Sequence, residues 1–184
     1  PQHAERFWQP LSGWWGHAAP FAFRPNYQPT QGISRYLCGT QPIISLAALE
    51  CGLNTVRAAD GCVPEHSAMQ ALRAKSLALT DLFIQLVEER CSGNGLTLVT
   101  PRTHAHRGSQ VCLARQTGAY AIVQALIARG VIGDFRAGDP SGAPGSVDQQ
   151  DILRFGFTPL YVGFADVWHA VEHLRQVLAS GEWQ

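Results

Sequence analysis

Trp14 and Trp15, with His17 two positions further on, place two indoles and an imidazole in the stretch Ser12-Gly13-Trp14-Trp15-Gly16-His17. An indole carries one N–H donor and a broad apolar face, so such a pair either packs or presents itself to an acceptor-rich ligand; packing is the commoner use. Thr40 stands just ahead of Pro42, where a hydroxyl caps a helix start, and a helix start is also where phosphate settles. Arg154 interrupts the apolar run Ile152-Leu153 and Phe155. Its guanidinium needs an anion there, either a protein carboxylate in a salt bridge or a ligand. His104-Ala105-His106 has the spacing of a metal pair on an extended strand, but no third ligand lies nearby and an exposed loop is the better reading. Asp134 and Asp139 show no paired-carboxylate logic, and no Gly-rich phosphate loop or Ser-His-Asp arrangement stands out.

The elements that must hold these groups follow from periodicity. The opening segment crowds Phe7, Trp8, Trp14, Trp15, Phe21, Phe23 and Tyr27 among Pro10, Pro20, Pro25 and Pro29, which predicts ordered irregular chain covering apolar surface. A helix opens at Thr40-Gln41-Pro42, with Thr40 as cap and Gly52 as its stop. Ile43, Ile44, Leu46, Leu49 and Cys51 make it apolar all round, so it reads as buried. From Ser67 to about Cys91, Met69, Leu72, Leu79, Leu82, Phe83, Leu86 and Val87 form an amphipathic stripe, ended by Gly93 and Gly95. Strands are predicted over 96–99 and 109–113, then a helix from Tyr120 to Arg129 stopped by Gly130, then a strand through Val131, Ile132 and Phe135. Gly138, Pro140, Gly142, Pro144 and Gly145 mark residues 138–150 as a mobile loop. A strand from Ile152 to Phe157 and a helix from Asp166 to Leu178 close the chain, with Asp166 as cap and Val167, Val171, Leu174 and Leu178 on one face. The expected class is α/β: helices packed on one face of a small, mostly antiparallel sheet.

With 184 residues the chain holds one domain, or a small domain carrying a piece of a larger one. Lys+Arg and Asp+Glu balance at 14 each, which excludes a strong field for nucleic acid or an anionic membrane. Thirteen of the basic residues are Arg, and Lys75 is the single Lys. Five cysteines without a CxxC pair read as reduced, buried thiols of a cytoplasmic protein. No apolar run approaches the roughly 18 residues of a membrane span. The first residue is Pro1 rather than Met, which predicts a processed, truncated or partial product.

Several blocks in order resemble the kynureninase family: Ser12 to His17, Arg35-Tyr36-Leu37-Cys38-Gly39-Thr40-Gln41-Pro42-Ile43, ALRAKSLALTDL from Ala71, AIVQALIARGVIGDF from Ala121, and ILRFGFTPLY from Ile152. The resemblance covers essentially the whole chain. It implies the C-terminal part of a pyridoxal 5'-phosphate enzyme with the aspartate-aminotransferase-like fold, divided into residues 1–41 (end of the large domain), 42–65 (connecting helix and loop) and 66–184 (small domain). The implied activity is hydrolysis of L-kynurenine, or the 3-hydroxy substrate, to anthranilate or 3-hydroxyanthranilate and L-alanine, in tryptophan catabolism and NAD biosynthesis. The implied assembly is a homodimer.

By the same resemblance, Trp14 matches an indole that donates to the cofactor phosphate and Thr40 a hydroxyl or amide at that phosphate, both offered to the neighbouring subunit. Arg154 matches the arginine that clamps the substrate carboxylate. Trp15 would wall the kynurenine ring and His17 would support the site. The chain departs from the family in three ways. The cofactor lysine, the aspartate facing the pyridine nitrogen and the main phosphate loop would lie upstream of Pro1, and Lys75 is no replacement, since its stem packs at the edge of an apolar stripe. Residues 60–67 look longer than the family's, and residues 138–150 look like an insertion close to Arg154. This chain alone is therefore expected to be inactive. The rival expectations are a cysteine desulfurase-like or aminotransferase-like enzyme of the same fold and a non-catalytic dimerisation module.

Overall fold

The computed structural model describes residues 3–143 and 145–184; Pro1, Gln2 and Pro144 lie outside them. The chain divides into two compact units, one up to Asn54 and one from Thr55 onward.

In the first unit, prolines and large rings suppress regular structure, as expected, leaving two 3-10 turns, Trp14–Gly16 and Gly32–Tyr36. Polar side chains tie the turns down. Arg35 Nη1 donates to the Ala4 carbonyl at 3.0 Å and to the Glu5 carboxylate at 2.8 Å, and the Tyr36 hydroxyl donates to the Phe7 carbonyl at 3.0 Å.

Helix α1, Ile43–Arg57, corrects three expectations. Leu46 N–H donates to the Pro42 carbonyl at 3.0 Å, so Pro42 holds the cap position and Thr40 lies ahead of the helix. Gly52 does not stop it, because an interior glycine costs only about 1 kcal/mol. Nor is the helix buried: Ile44 is 87% exposed. Apolarity on all sides demands cover without specifying what supplies it.

The second unit opens with α2, Ala68–Arg90, started by Ser67. The Ser67 hydroxyl accepts the Gln70 N–H while the Gln70 side chain accepts the Ser67 N–H at 2.9 Å, which satisfies two orphan donors reciprocally. Leu79, Phe83, Ile84 and Val87 are buried. Met69 stands outside the stripe, exposed to solvent.

Strands β1 (Thr97–Leu98), β2 (Gln110–Arg115), β3 (Asp134–Arg136) and β4 (Asp151–Gly156) form one antiparallel sheet in the order β1-β2-β4-β3. Between β2 and β3 runs α3, Ala119–Ala128. It ends at left-handed Gly130, with Val131 N–H on the Leu126 carbonyl and Gly130 N–H on that of Ile127. That closure takes Val131 and Ile132 out of the predicted strand. Helix α4, Phe164–Ser180, begins after Gly163. Asp166 is its third residue rather than its cap, and its carboxylate accepts the Gly163 N–H at 2.7 Å.

Strand alternation turns Val111, Leu113, Leu153 and Phe155 onto the three helices, as expected. The Phe83 ring lies 4.9 Å from that of Phe155 and 5.0 Å from that of Phe157. Each such buried side chain contributes about 1.5–3 kcal/mol. Gln110, Cys112, Ile152 and Arg154 take the opposite face.

Candidate functional site

In the first unit the two segments that carry the tryptophans and Thr40 pack backbone on backbone. A Cβ on Gly13 would stand 1.8 Å from the Cys38 carbonyl oxygen, and one on Gly16 would stand 2.7 Å from the carbonyl oxygens of Arg35 and Leu37. Only glycine permits either approach. The Cys38 thiol donates to the Leu11 carbonyl at 2.8 Å and reinforces the contact. In consequence the Trp14 Nε1 lies 3.6 Å from where a Cβ on Gly39 would be, next door to Thr40. Trp14 is 46% exposed, and among the described residues no acceptor bonds its N–H or the Thr40 hydroxyl.

The two indoles meet edge to face, with centroids 4.6 Å apart, and Phe21 closes the cluster at 5.8 Å from Trp14 and 6.3 Å from Trp15. His17 is buried. Its Nδ1 accepts the Ala19 N–H at 2.8 Å, so the proton sits on Nε2, which donates to the Asn26 carbonyl at 3.2 Å. The imidazole thus pins both ends of the 18–26 loop rather than offering a free nitrogen. A cleft of about 270 Å³ beside it is lined by Trp14, His17, Phe23, Arg24 and Tyr27.

Arg154 belongs to the second unit, in the middle of β4, and register sets Cys112 on one side of it and Asp134 on the other. Its Nη2 lies 3.0 Å from Asp134 Oδ2, while its buried Nε has no acceptor among the described residues. The salt bridge weighed from the sequence is therefore real, and it leaves the buried Nε donor unengaged. Asp134, which sequence spacing left without a role, is the residue that reading missed. Its Oδ1 also accepts the Phe135 N–H at 2.8 Å and pairs with Arg136 Nη1 at 2.9 Å. The Phe135 amide above all, then Arg136 and Arg154, holds its carboxyl below the ordinary range.

The 138–150 segment leaves β4 intact. Asp139 N–H donates to the Asp148 carbonyl at 2.7 Å and Gly138 N–H to the Asp151 carboxylate at 3.1 Å, so the loop closes on itself before the strand begins. His104 and His106 lie in a 3-10 turn, not on a strand, and His104 Nε2 meets Asp81 Oδ2 at 2.8 Å. Among the described residues no group of three His, Cys, Asp or Glu is placed to hold a metal. Lys75 Nζ donates to the Pro159 carbonyl at 2.7 Å. A cavity of about 520 Å³ lies on the helix side between Phe83, Val131, Phe155, Tyr161 and Asp166, and Asp166 is already spent on the α4 start.

Residues 72–174 match the kynureninase C-terminal domain. The chain is similar to kynureninases of Burkholderia mallei (strain SAVP1), Burkholderia pseudomallei (strain K96243) and Pseudomonas fluorescens, each 52% identical over 183 residues. All of this chain is matched, and it spans 39% of each relative's length. Among solved structures, an apo cysteine desulfurase from Thermococcus onnurineus NA1 superposes with a TM-score of 0.66 over 97% of this chain and 41% of its own, at 14% identity. That likeness shows the fold alone.

Proposed function

Because this chain belongs to the kynureninase family, we propose that it forms the C-terminal part of a pyridoxal-phosphate enzyme that hydrolyses L-kynurenine or its 3-hydroxy derivative to the corresponding anthranilate and L-alanine. The observation that carries the proposal is the seating of Gly13 and Gly16 on residues 35–38, which puts the Trp14 indole beside Gly39-Thr40 in a chain half identical to kynureninases. An exposed indole N–H next to a hydroxyl is a donor pair, and donors suit a phosphate, which only accepts at neutral pH.

Pyridoxal phosphate, when bound, supplies an electron sink for charge developing on the substrate. The work of this chain is to hold and orient. Trp14 and Thr40 grip the phosphate of the neighbouring subunit's cofactor in a homodimer. Trp15 offers a flat wall to the kynurenine ring, and His17 keeps the loop behind both indoles in place. Arg154 takes the substrate carboxylate through its unengaged donors, where a planar fork fixes direction as well as distance. The Lys75 ammonium is engaged by the Pro159 carbonyl, which speaks against a role as the cofactor lysine. The exposed rings of Phe21 and Phe23 and the uncovered α1 favour burial against further protein. The thiols of Cys38, Cys51 and Cys62, exposed where burial was expected, favour a reducing compartment, the cytoplasm. No helix among the described residues is long and apolar enough to cross a membrane.

The test is product analysis with the complete protein that carries this chain. Release of anthranilate from kynurenine supports the reading. Turnover of cysteine to alanine, or amino-group transfer without carbon–carbon cleavage, would replace it with the desulfurase or aminotransferase alternative. A stable dimer that binds no pyridoxal phosphate would leave a dimerisation module. The isolated 184-residue chain is expected to release no anthranilate.

A further inference from the structure

We propose that Asp134 is a positioning residue that holds the Arg154 guanidinium in the orientation in which it receives a carboxylate; this rests on the carboxylate-clamp reading of Arg154. The sheet order is what creates the relationship. Since β3 pairs with β4 antiparallel, Asp134 falls directly opposite Arg154, although twenty positions separate them in sequence. A side chain as long as arginine, 31% exposed on the open face of a sheet, has many rotamers to lose before it can bind a ligand. A carboxylate 3.0 Å from Nη2 removes most of them in advance.

Asp134 does this without filling the site. It touches a single corner of the guanidinium, while Nε stays without an acceptor. Its other oxygen is occupied by the Phe135 amide and Arg136, so the acid cannot rotate to close both oxygens on Arg154. Its negative charge is shared between two guanidiniums, which weakens its competition with an arriving carboxylate. The geometry is that of a tether and not of a plug.

The two roles predict opposite kinetics. In the complete pyridoxal-phosphate-loaded enzyme, Asp134→Asn should raise KM for kynurenine about ten- to a hundredfold while kcat changes less than about threefold, the signature of lost orientation of a binding group. Asp134→Glu, which keeps the charge one methylene further out, should recover part of that loss. A KM that falls in Asp134→Asn would make the acid a blocker, and an unchanged KM would make it a bystander; either overturns the proposal. Arg154→Gln separates the layers. If it leaves KM unchanged, the clamp reading fails and the tether with it; if it raises KM while Asp134→Asn does not, only the tether fails. Should Asp134→Asn melt before assay, Asp134→Ser, which also removes the charge, takes its place, an unchanged or lowered KM overturning the idea and a raised KM supporting it.

Discussion

Gly13 and Cys38 touch through their backbones, with no room for even a methyl group between Gly13 and the Cys38 carbonyl. Two segments far apart in sequence are thereby held at a separation set by a missing side chain, and Trp14, one residue beyond Gly13, inherits its place beside Gly39.

Gly13→Ala forces that contact apart. Overpacking of this kind costs about 1–3 kcal/mol, and here the neighbour is rigid backbone, which cannot step aside as a rotamer would. The first unit should melt earlier, with a red shift in tryptophan emission as Trp14 and Trp15 lose Phe21. A urea titration followed by fluorescence measures both; an unmoved midpoint and spectrum would mean that the backbone yields more easily than its packing implies.

Trp14→Phe keeps the ring and removes the donor. In the complete protein its cost should fall on cofactor affinity. A hydrogen bond to a charged group contributes about 1.5–3 kcal/mol, equivalent to roughly ten- to a hundredfold in Kd for pyridoxal phosphate. Because Phe preserves the edge-to-face packing on Trp15, the melting temperature of the apo protein should stay within about 2 °C of the parent, as a surface-like substitution does. Titration of apo protein with pyridoxal phosphate gives the first number and calorimetry the second. Equal affinity would take Trp14 out of the phosphate site.

How much of this was legible beforehand depends on how local the cause is. Helices α2 and α4 were readable because their partners, Phe83 and Leu79 or Val171 and Leu174, recur at helical spacing along one segment. The exposure of α1 was not readable, since Ile43, Ile44 and Leu49 report a demand for cover and not its supply. The Thr40 cap failed by two residues because Pro42 itself begins the turn, its missing N–H costing nothing at that position. Asp134 was invisible for a topological reason. Strand order decides what lies across from Arg154, and no spacing between positions 134 and 154 encodes it. The glycines of Ser12 to His17 and the downstream Cys38-Gly39-Thr40 were visible only as a resemblance; their mutual contact required the folded chain.

The core of the second unit turns on Phe83, fully buried where α2 meets β4. Phe83→Ala should destabilise by about 3–5 kcal/mol, because the void is walled by Phe155 and Phe157 on strand and sheet-edge backbone that collapses poorly. Far-UV dichroism during a urea melt would register the loss as an earlier transition with an unchanged slope. A shift smaller than that caused by replacing the partly buried Leu82 with Ala would contradict the placement of the core.

Glu172 on α4 gives the clearest dependence on pH. Its Oε1 accepts from Arg175 Nη2 at 2.6 Å and from Gln176 Nε2 at 2.9 Å, and its Oε2 lies 3.4 Å from Arg90 Nη2 at the end of α2. The Arg175 hydrogen bonds above all, then Gln176 and the charge of Arg90, pull its pKa from 4.5 down to about 2. A carboxylate whose folded pKa is depressed adds stability that is complete above its unfolded value and disappears as pH falls through its folded value. The window therefore runs from pH 4.5 down to about 2. Comparing urea midpoints of the parent and Glu172→Gln across that range isolates this group, since Asp81, Asp134 and Glu182 titrate in both proteins and cancel in the difference. The gap should be widest above pH 4.5 and should shrink steadily toward pH 2. A gap that is constant with pH would assign the effect of Glu172 to packing against its neighbours instead of to its charge.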